Sequence, residues 1–309
     1  VTARVTGQTQ VATAIANLRA QTARQAKLQD QIGSGTKLAL PSDGPAEYAA
    51  AARGKAASQR FDVHLQSIAT ATADLNAGVS ALTQTNRLLS KASQLAQEGV
   101  NGATDAVGYE ALATELDGVI DQAITLANSK QDGRSLFAGT ATDTPAFAVT
   151  RDAAGKPTAV QYTGSGDRAA VIVGPGQATD TRYVGSAVFQ QSGGDVFAAL
   201  IGLRDDLRNG SLTGTAKAAA LTARLSDLEA ARTAVGGAVA EQSASLVTLD
   251  ATSARIRDLK LDTDARTGEL EGTDYTEAVV KMKEQDGVFE ATLAVTAKLM
   301  QPSLLDFIR

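Results

Sequence analysis

Residues 61–89 read FDVHLQSIATATADLNAGVSALTQTNRLL, and Phe61, Leu65, Ile68, Leu75, Val79, Leu82 and Leu89 fall within them at alternating steps of four and three. Thr72 and Asn86 hold the two remaining places of the series. Side chains at this spacing share one helix face. A seam sustained for about four repeats indicates a coiled-coil-like packing surface rather than a general amphipathic one. The pattern predicts a helix from about Ala46 to Val100. A short polar spacer and a second helix over 104–129 follow, with Leu112, Leu116, Val119, Ala123 and Leu126 on its apolar side. Two helices joined so briefly form an αα-hairpin.

A comparable stripe returns late in the chain at Leu221, Leu225, Leu228, Val235, Val239, Leu246, Leu249 and Ile256, interrupted at Arg232, Gln242 and Ser253. This helix completes an antiparallel bundle with the first two. Gly236 and Gly237 lie inside it and together cost about 2 kcal/mol relative to alanine, so a kink or a close helix contact is expected there.

Between the helical halves the texture changes to Gly, Thr and β-branched residues. Ala159 to Tyr162, Ala169 to Val173 and Thr181 to Val184 read as short strands, with turns at 154–157 and 174–176. Two further boundaries interrupt the helical patterns, at 33–45 and 267–273, and Pro41 and Pro45 make one uninterrupted helix from the first residues improbable. Outside them lie two narrow terminal stripes, Val11, Ile15 and Leu18 near the start and Met282, Phe289, Leu293 and Met300 near the finish. Neither stripe is wide enough to bury itself alone, so the ends pair with each other or with neighbouring copies.

The expected fold class is mainly α: an elongated antiparallel helical bundle with paired N- and C-terminal coiled-coil helices and a small central β-rich insertion. It divides into 1–45 with 265–309 as a terminal assembly domain, 46–133 with 192–264 as a helical rod, and 134–191 as an outer β-rich insertion.

Composition points to structural work. The chain has no Cys, no Trp and one His in 309 residues, which leaves few groups for nucleophilic, metal or mid-pH acid-base chemistry. No catalytic residue, cofactor site or metal site is expected. The formal charge of −5 and the pI near 5.1 supply no basic face for nucleic acid or an anionic membrane. No 18-residue apolar stretch exists to span a membrane, and residues 1–13 lack the apolar run of a secretory leader, so export is expected by another route.

His64 lies off the apolar stripe with no second His or Cys to share a metal, and reads as a rim residue. Asp205 with Asp206, and Glu269 with Glu271, occupy helix positions that face different directions, so they read as solvated surface rather than paired catalytic carboxylates. Gly164 to Asp167 lacks the Lys-Ser/Thr ending of a phosphate loop and reads as a turn.

Three segments in order carry a family resemblance. The first is Ser34, Gly35, Thr36, Lys37, Leu38 followed by Pro41, Ser42, Asp43, Gly44, Pro45. The second runs from Gly133 through Phe137, Gly139 and Pro145 to Phe147, and the third is Ser303 to Ile308 with Arg309 after it. They resemble the flagellin superfamily and, within it, the hook-filament junction branch, the third of the hook-associated proteins. The sequence departs from that pattern at Gly44, where a second acidic residue is usual, at Ser135, where an aromatic is common, and at Ala146, where proline is common.

The resemblance implies a structural protein of the bacterial flagellum, exported unfolded by the flagellar type III pathway and assembled as a homo-oligomeric ring outside the cell, where it joins a flexible hook to a stiffer filament. Its implied partners are the first hook-associated protein on the hook side, flagellin or other filament-side proteins, and a cytoplasmic export chaperone. The implied interface is Val11, Ile15, Leu18, Met282, Phe289, Leu293, Met300, Leu304, Leu305 and Phe307. A filament flagellin subunit is the alternative. An embedded metalloprotease would need His-Glu-x-x-His, which one histidine cannot supply. A coiled-coil receptor would need a membrane span, and an adhesin built on the insertion is a further alternative.

Overall fold

The computed structural model describes residues 2–101, 105–174 and 176–300, without the side chains of 2–8, 10, 11, 299 and 300. Among the described residues there are seven α-helices: α1 (Thr2–Ser34), α2 (Pro45–Asn101), α3 (Ala106–Ala127), α4 (Gly185–Phe189), α5 (Val196–Arg208), α6 (Gly214–Glu271) and α7 (Tyr275–Met300). The β-structure lies between α3 and α5 as four separate antiparallel pairs. These are β1 (Lys130–Gln131) with β2 (Arg134–Ser135), β3 (Phe147–Arg151) with β4 (Pro157–Tyr162), β5 (Ala169–Gly174) with β6 (Gln177–Arg182), and β7 (Gln190–Gln191) with β8 (Gly194–Asp195). This is the expected mainly helical bundle with terminal helices and a β-rich middle. No helix is long and apolar enough to cross a membrane among the described residues. The chain divides into two compact units, 1–60 with 259–309, and 61–258.

The larger unit holds the main core. Ile68, Leu75, Leu82 and Leu89 of α2 are buried with Leu112, Leu116 and Val119 of α3 and Leu221, Leu228, Val235 and Leu249 of α6. Full burial of each such side chain contributes about 1.5–3 kcal/mol relative to exposure. The heptad reading of 61–89 therefore lands on the core. α3 starts at Asp105, whose carboxylate accepts a hydrogen bond from the Gly108 N–H at 2.8 Å, one of the orphan donors that a helix start leaves.

Helix α5 was hidden inside the stretch read as rod. Its signals are an Asp195 cap, which accepts from the Ala198 N–H at 2.8 Å, and buried Val196, Phe197, Leu200, Leu203 and Leu207. Their spacing is helical, but the run is short and directly abuts β8.

Two sequence expectations need correction. The third strand is Gln177–Arg182 rather than Thr181 to Val184. The turn at Gly176, with φ 71°, returns the chain immediately, so the polar run Gln177 to Thr179 pairs with Ala178 opposite Ile172 and Thr179 opposite Val171. An exposed edge strand of this kind carries no β-branched run to mark it. At Gly236 and Gly237 the close contact is also not where it was expected: a Cβ at Gly236 would meet only Asn86 Nδ2, at 3.9 Å, and one at Gly237 would meet nothing. Gly237 lines an open cleft of about 720 Å³ with Arg168, Tyr183 and Glu241. Within the larger unit a tight approach between α2 and α6 is at Gly78, where a Cβ would stand 2.6 Å from Gln242 Oε1.

The second motif stretch folds inward. Phe137 and Phe147 are buried, and with Phe189, Phe197 and Tyr162 they form edge-on and stacked ring contacts at centroid separations of 5.1 to 5.9 Å. Gly139 has φ 60°, and a Cβ there would strike the carbonyls of Ser165 and Asp167, so the 164–167 turn docks against it. Ser135 is fully buried where the family resemblance places an aromatic; its hydroxyl donates to the Thr144 carbonyl at 2.5 Å. Asn128 binds both backbone groups of Phe147, through Nδ2 to the carbonyl at 3.1 Å and through Oδ1 from the N–H at 2.9 Å. Pro145 is exposed at the rim of this layer, and Ala146 beside it is buried.

Ion pairs tie the β-hairpins and α5 to α2 and α3. Arg182 of β6 pairs with Asp74 of α2 at 2.8 Å with both side chains buried. Arg208 and Lys156 approach Asp117 of α3 at 2.7 and 3.3 Å, and Arg204 reaches it at 3.5 Å.

Candidate assembly interface

The smaller unit has little interior of its own. Its buried apolar residues are Leu38, Ala51 and Ala278 among the described residues, beside buried Ser58, Thr267 and Thr296. Within it α1 and α7 run antiparallel, and the hydrogen bonds that cross between them are polar. Gln21 Nε2 donates to Thr292 Oγ1 at 2.9 Å, and Gln25 Nε2 donates to Asp286 Oδ1 at 2.6 Å. Long amide side chains thus fix the register where a coiled-coil seam would carry leucine.

The apolar side chains at and beside this seam are incompletely covered. Ile15 is 39% exposed and Leu293 44% exposed, while Leu18, Met282 and Phe289 are half-buried. Ile15, Leu18, Phe289 and Leu293 come together around an open groove of about 500 Å³, lined also by Ala23 and Ala26. Val280, Val288 and Val295 of α7 are also exposed. Val11 and Met300 belong to the helical backbone of α1 and α7. Leu304, Leu305 and Phe307 lie outside the described residues.

The two boundary segments are laced together. Thr36 bridges to Gly272, the Lys37 N–H donates to the Glu271 carbonyl at 2.7 Å, and the Thr273 N–H donates to the Gly35 carbonyl at 3.0 Å. Gly35 takes φ 71°, and a Cβ there would stand 2.7 Å from the Tyr275 hydroxyl, so both backbone conformation and space call for glycine. Ser34 donates back to the Asp30 carbonyl at 2.7 Å and closes α1.

A short 3-10 turn, Pro41–Asp43, follows. Asp43 accepts from Lys27 Nζ at 2.5 Å and from the Leu40 N–H at 2.9 Å. The Lys27 hydrogen bond, followed by that of Leu40, holds the Asp43 carboxyl below its ordinary range. Gly44 leaves room for Leu38 and Glu47, since a Cβ there would sit 2.9 Å from Glu47 Oε2. Pro45 is the first residue of α2, and Ser42 is exposed. The later break is narrower than 267–273 suggested: α6 continues to Glu271 because Thr267 is buried against Gly54, and α7 restarts after Asp274, which caps the N–H groups of Thr276 and Glu277.

The other nominated groups are tied up locally. Asp205 pairs with Arg204 at 2.6 Å, Asp206 with Arg224 at 2.8 Å, and Glu271 with Lys55 at 2.7 Å. His64 is half-buried on α2. Among the described residues no group of three or more His, Cys, Asp or Glu side chains is placed to hold a metal ion.

No protein-family model matches the sequence, and no curated protein matches it. Solved structures do match. A Vibrio parahaemolyticus protein assigned as a flagellar hook-associated protein superposes with a TM-score of 0.66 at 21% identity, over 74% of this chain and 100% of that one. The fold is that of flagellar junction proteins. FlgL of Xanthomonas campestris gives 0.60 at 18% identity over 70% of this chain and 99% of its own. The flagellar junction protein FlgL of Legionella pneumophila gives 0.59 at 12% identity, over 72% and 99%.

Proposed function

We propose that the chain is a non-enzymatic structural subunit of the bacterial flagellum, placed between hook and filament and assembled through α1, α7 and the closing segment up to Phe307. The observation that carries this reading is the terminal helix pair: amide hydrogen bonds cross between α1 and α7, and Ile15, Leu18, Phe289 and Leu293 surround an open groove. Apolar surface so arranged gains about 25 cal/mol per Å² when a neighbouring copy removes it from water. The likeness to junction proteins supports the same reading.

In this proposal 1–45 with 265–309 form the assembly domain, 46–133 with 192–264 the rod, and 134–191 the outer insertion. Subunits leave the cell unfolded by the flagellar type III route, shielded beforehand by a cytoplasmic chaperone, and close into a ring with the first hook-associated protein on one side and flagellin on the other. The second reading, a filament flagellin, shares the terminal logic.

Electron microscopy of gold-labelled subunits on intact flagella separates the two. One band at the hook-filament boundary is expected, and labelling along the filament would replace the junction reading with flagellin. Deletion of Leu304 to Ile308 is expected to leave a folded helical chain that no longer retains filaments. Normal motility of cells carrying that deletion counts against the assignment.

A further inference from the structure

The whole chain contains two sulfur atoms. It has no cysteine, and its two methionines, Met282 and Met300, both belong to α7. They stand about five full helical turns apart, so their backbones share one side of that helix, and Phe289 and Leu293 follow Met282 at about two and three turns. With tryptophan also absent, the side chains most easily oxidised are confined to a single helix. That helix carries half of the open apolar row. Met282 is half-buried, so part of the residue is reachable from solvent.

We propose that Met282, with Met300, is an oxidation site through which hydrogen peroxide weakens subunit assembly; this rests on the assembly role of α7 proposed above. In the reaction the thioether sulfur attacks one peroxide oxygen, the O–O bond breaks, and a sulfoxide forms. The sulfur loses two electrons, and the peroxide is reduced to water. A flexible apolar side chain becomes a polar one with a strong acceptor oxygen, on a surface that assembly must dehydrate. A sulfoxide without a donor opposes that dehydration, whereas leucine in its place does not. Reduction by methionine sulfoxide reductases reverses the change.

The test uses the full chain and isolated flagellar hooks from cells that lack it. Binding to hooks is measured by co-sedimentation before and after peroxide, and peptide mass spectrometry reads sulfoxide at each methionine. Oxidation is expected to weaken binding by roughly tenfold or more, and reductase treatment to restore it. The Met282→Leu/Met300→Leu double variant, compared with itself before and after peroxide, is expected to show no further loss of binding, whatever its own starting level. Three results overturn the proposal: Met282 stays unoxidised in the folded chain, the oxidised chain binds unchanged, or peroxide lowers the binding of the leucine variant to the same extent as that of the parent. If the untreated chain does not bind hooks at all, the assembly reading itself fails and this inference falls with it.

Discussion

Gly78 of α2 sits directly under Gln242 of α6: a Cβ at position 78 would lie 2.6 Å from the Gln242 Oε1. Gln242 is buried against that gap, so the glycine lets a long amide fit into a helix seam otherwise lined by Leu75, Leu82 and Leu249. Gly78→Leu is expected to overpack the seam and cost about 1–3 kcal/mol in urea unfolding. Gly237→Ala is the opposite case, because nothing lies within 4 Å of the added methyl. It is expected to raise stability by about 0.5–1 kcal/mol through helix propensity alone. Equal effects from the two substitutions would contradict this account of the seam.

Phe147 touches Phe189, Phe197 and Tyr162 at once. Phe147→Ala removes a shared ring from three contacts and is expected to cost about 3–5 kcal/mol. Chemical denaturation followed by circular dichroism measures it. A loss below 1 kcal/mol, set against that range, would show that the layer repacks.

The buried Asp74–Arg182 pair gives an asymmetric prediction. Asp74→Ala leaves the guanidinium unpaired in the interior and is expected to cost about 3–5 kcal/mol. Replacing both partners, as Asp74→Leu with Arg182→Met, is expected to come close to neutral, since packed apolar groups carry no desolvation penalty. Urea unfolding of Asp74→Leu, Arg182→Met and the double variant completes the cycle.

Acid stability depends on Asp117. Burial alone would push its carboxyl up, but the hydrogen bond and charge of Arg208, with Lys156 behind them, outweigh burial and hold it below the ordinary value of 3.8. A depressed folded value means that this contribution is complete above the unfolded carboxylate range and is lost as pH falls through the folded value. Asp117→Asn is therefore expected to be less stable than the parent at neutral pH, with the gap closing below about pH 4. Urea midpoints across that range check the sign; a gap that widens on acidification would refute it.

At the boundary turn, Gly35→Val forces a β-branched residue into the left-handed region against the Tyr275 hydroxyl. The expected loss is about 1–3 kcal/mol, confined to the smaller unit. Hydrogen exchange is expected to rise in α1 and α7 and to stay unchanged in α3 and α5.

Much of the helical frame was legible because period is a strong signal: the stripe of 61–89 and that of 221–256 both map onto α2 and α6. The insertion was harder. Gln177 to Thr179 carries no β-branched run, and its strand is set by a glycine turn and by pairing with Val171 and Ile172, which is information held by the partner strand. The apolar character of Ile15, Phe289 and Leu293 was visible in the sequence, but the amide pairs at Gln21 and Gln25 were not. Glutamine in an exposed-looking helix gives no hint that it crosses to Thr292 or Asp286, nearly the whole chain away. Whether a glycine faces a neighbour, as Gly78 does, or open space, as Gly237 does, likewise depends on which residue the fold brings opposite.

The sparse interior of the smaller unit, with Leu38, Ala51 and Ala278 as its buried apolar residues among those described, has a thermal consequence. Heat-capacity change on unfolding comes chiefly from apolar surface newly wetted, so a unit that hides so little absorbs heat without a step. Calorimetry of the isolated chain is expected to record a shallow, gradual loss of helix from residues 1–60 and 259–309, followed by one sharp peak from 61–258. The ends would then loosen well before the middle, at temperatures where assembled copies still hold theirs.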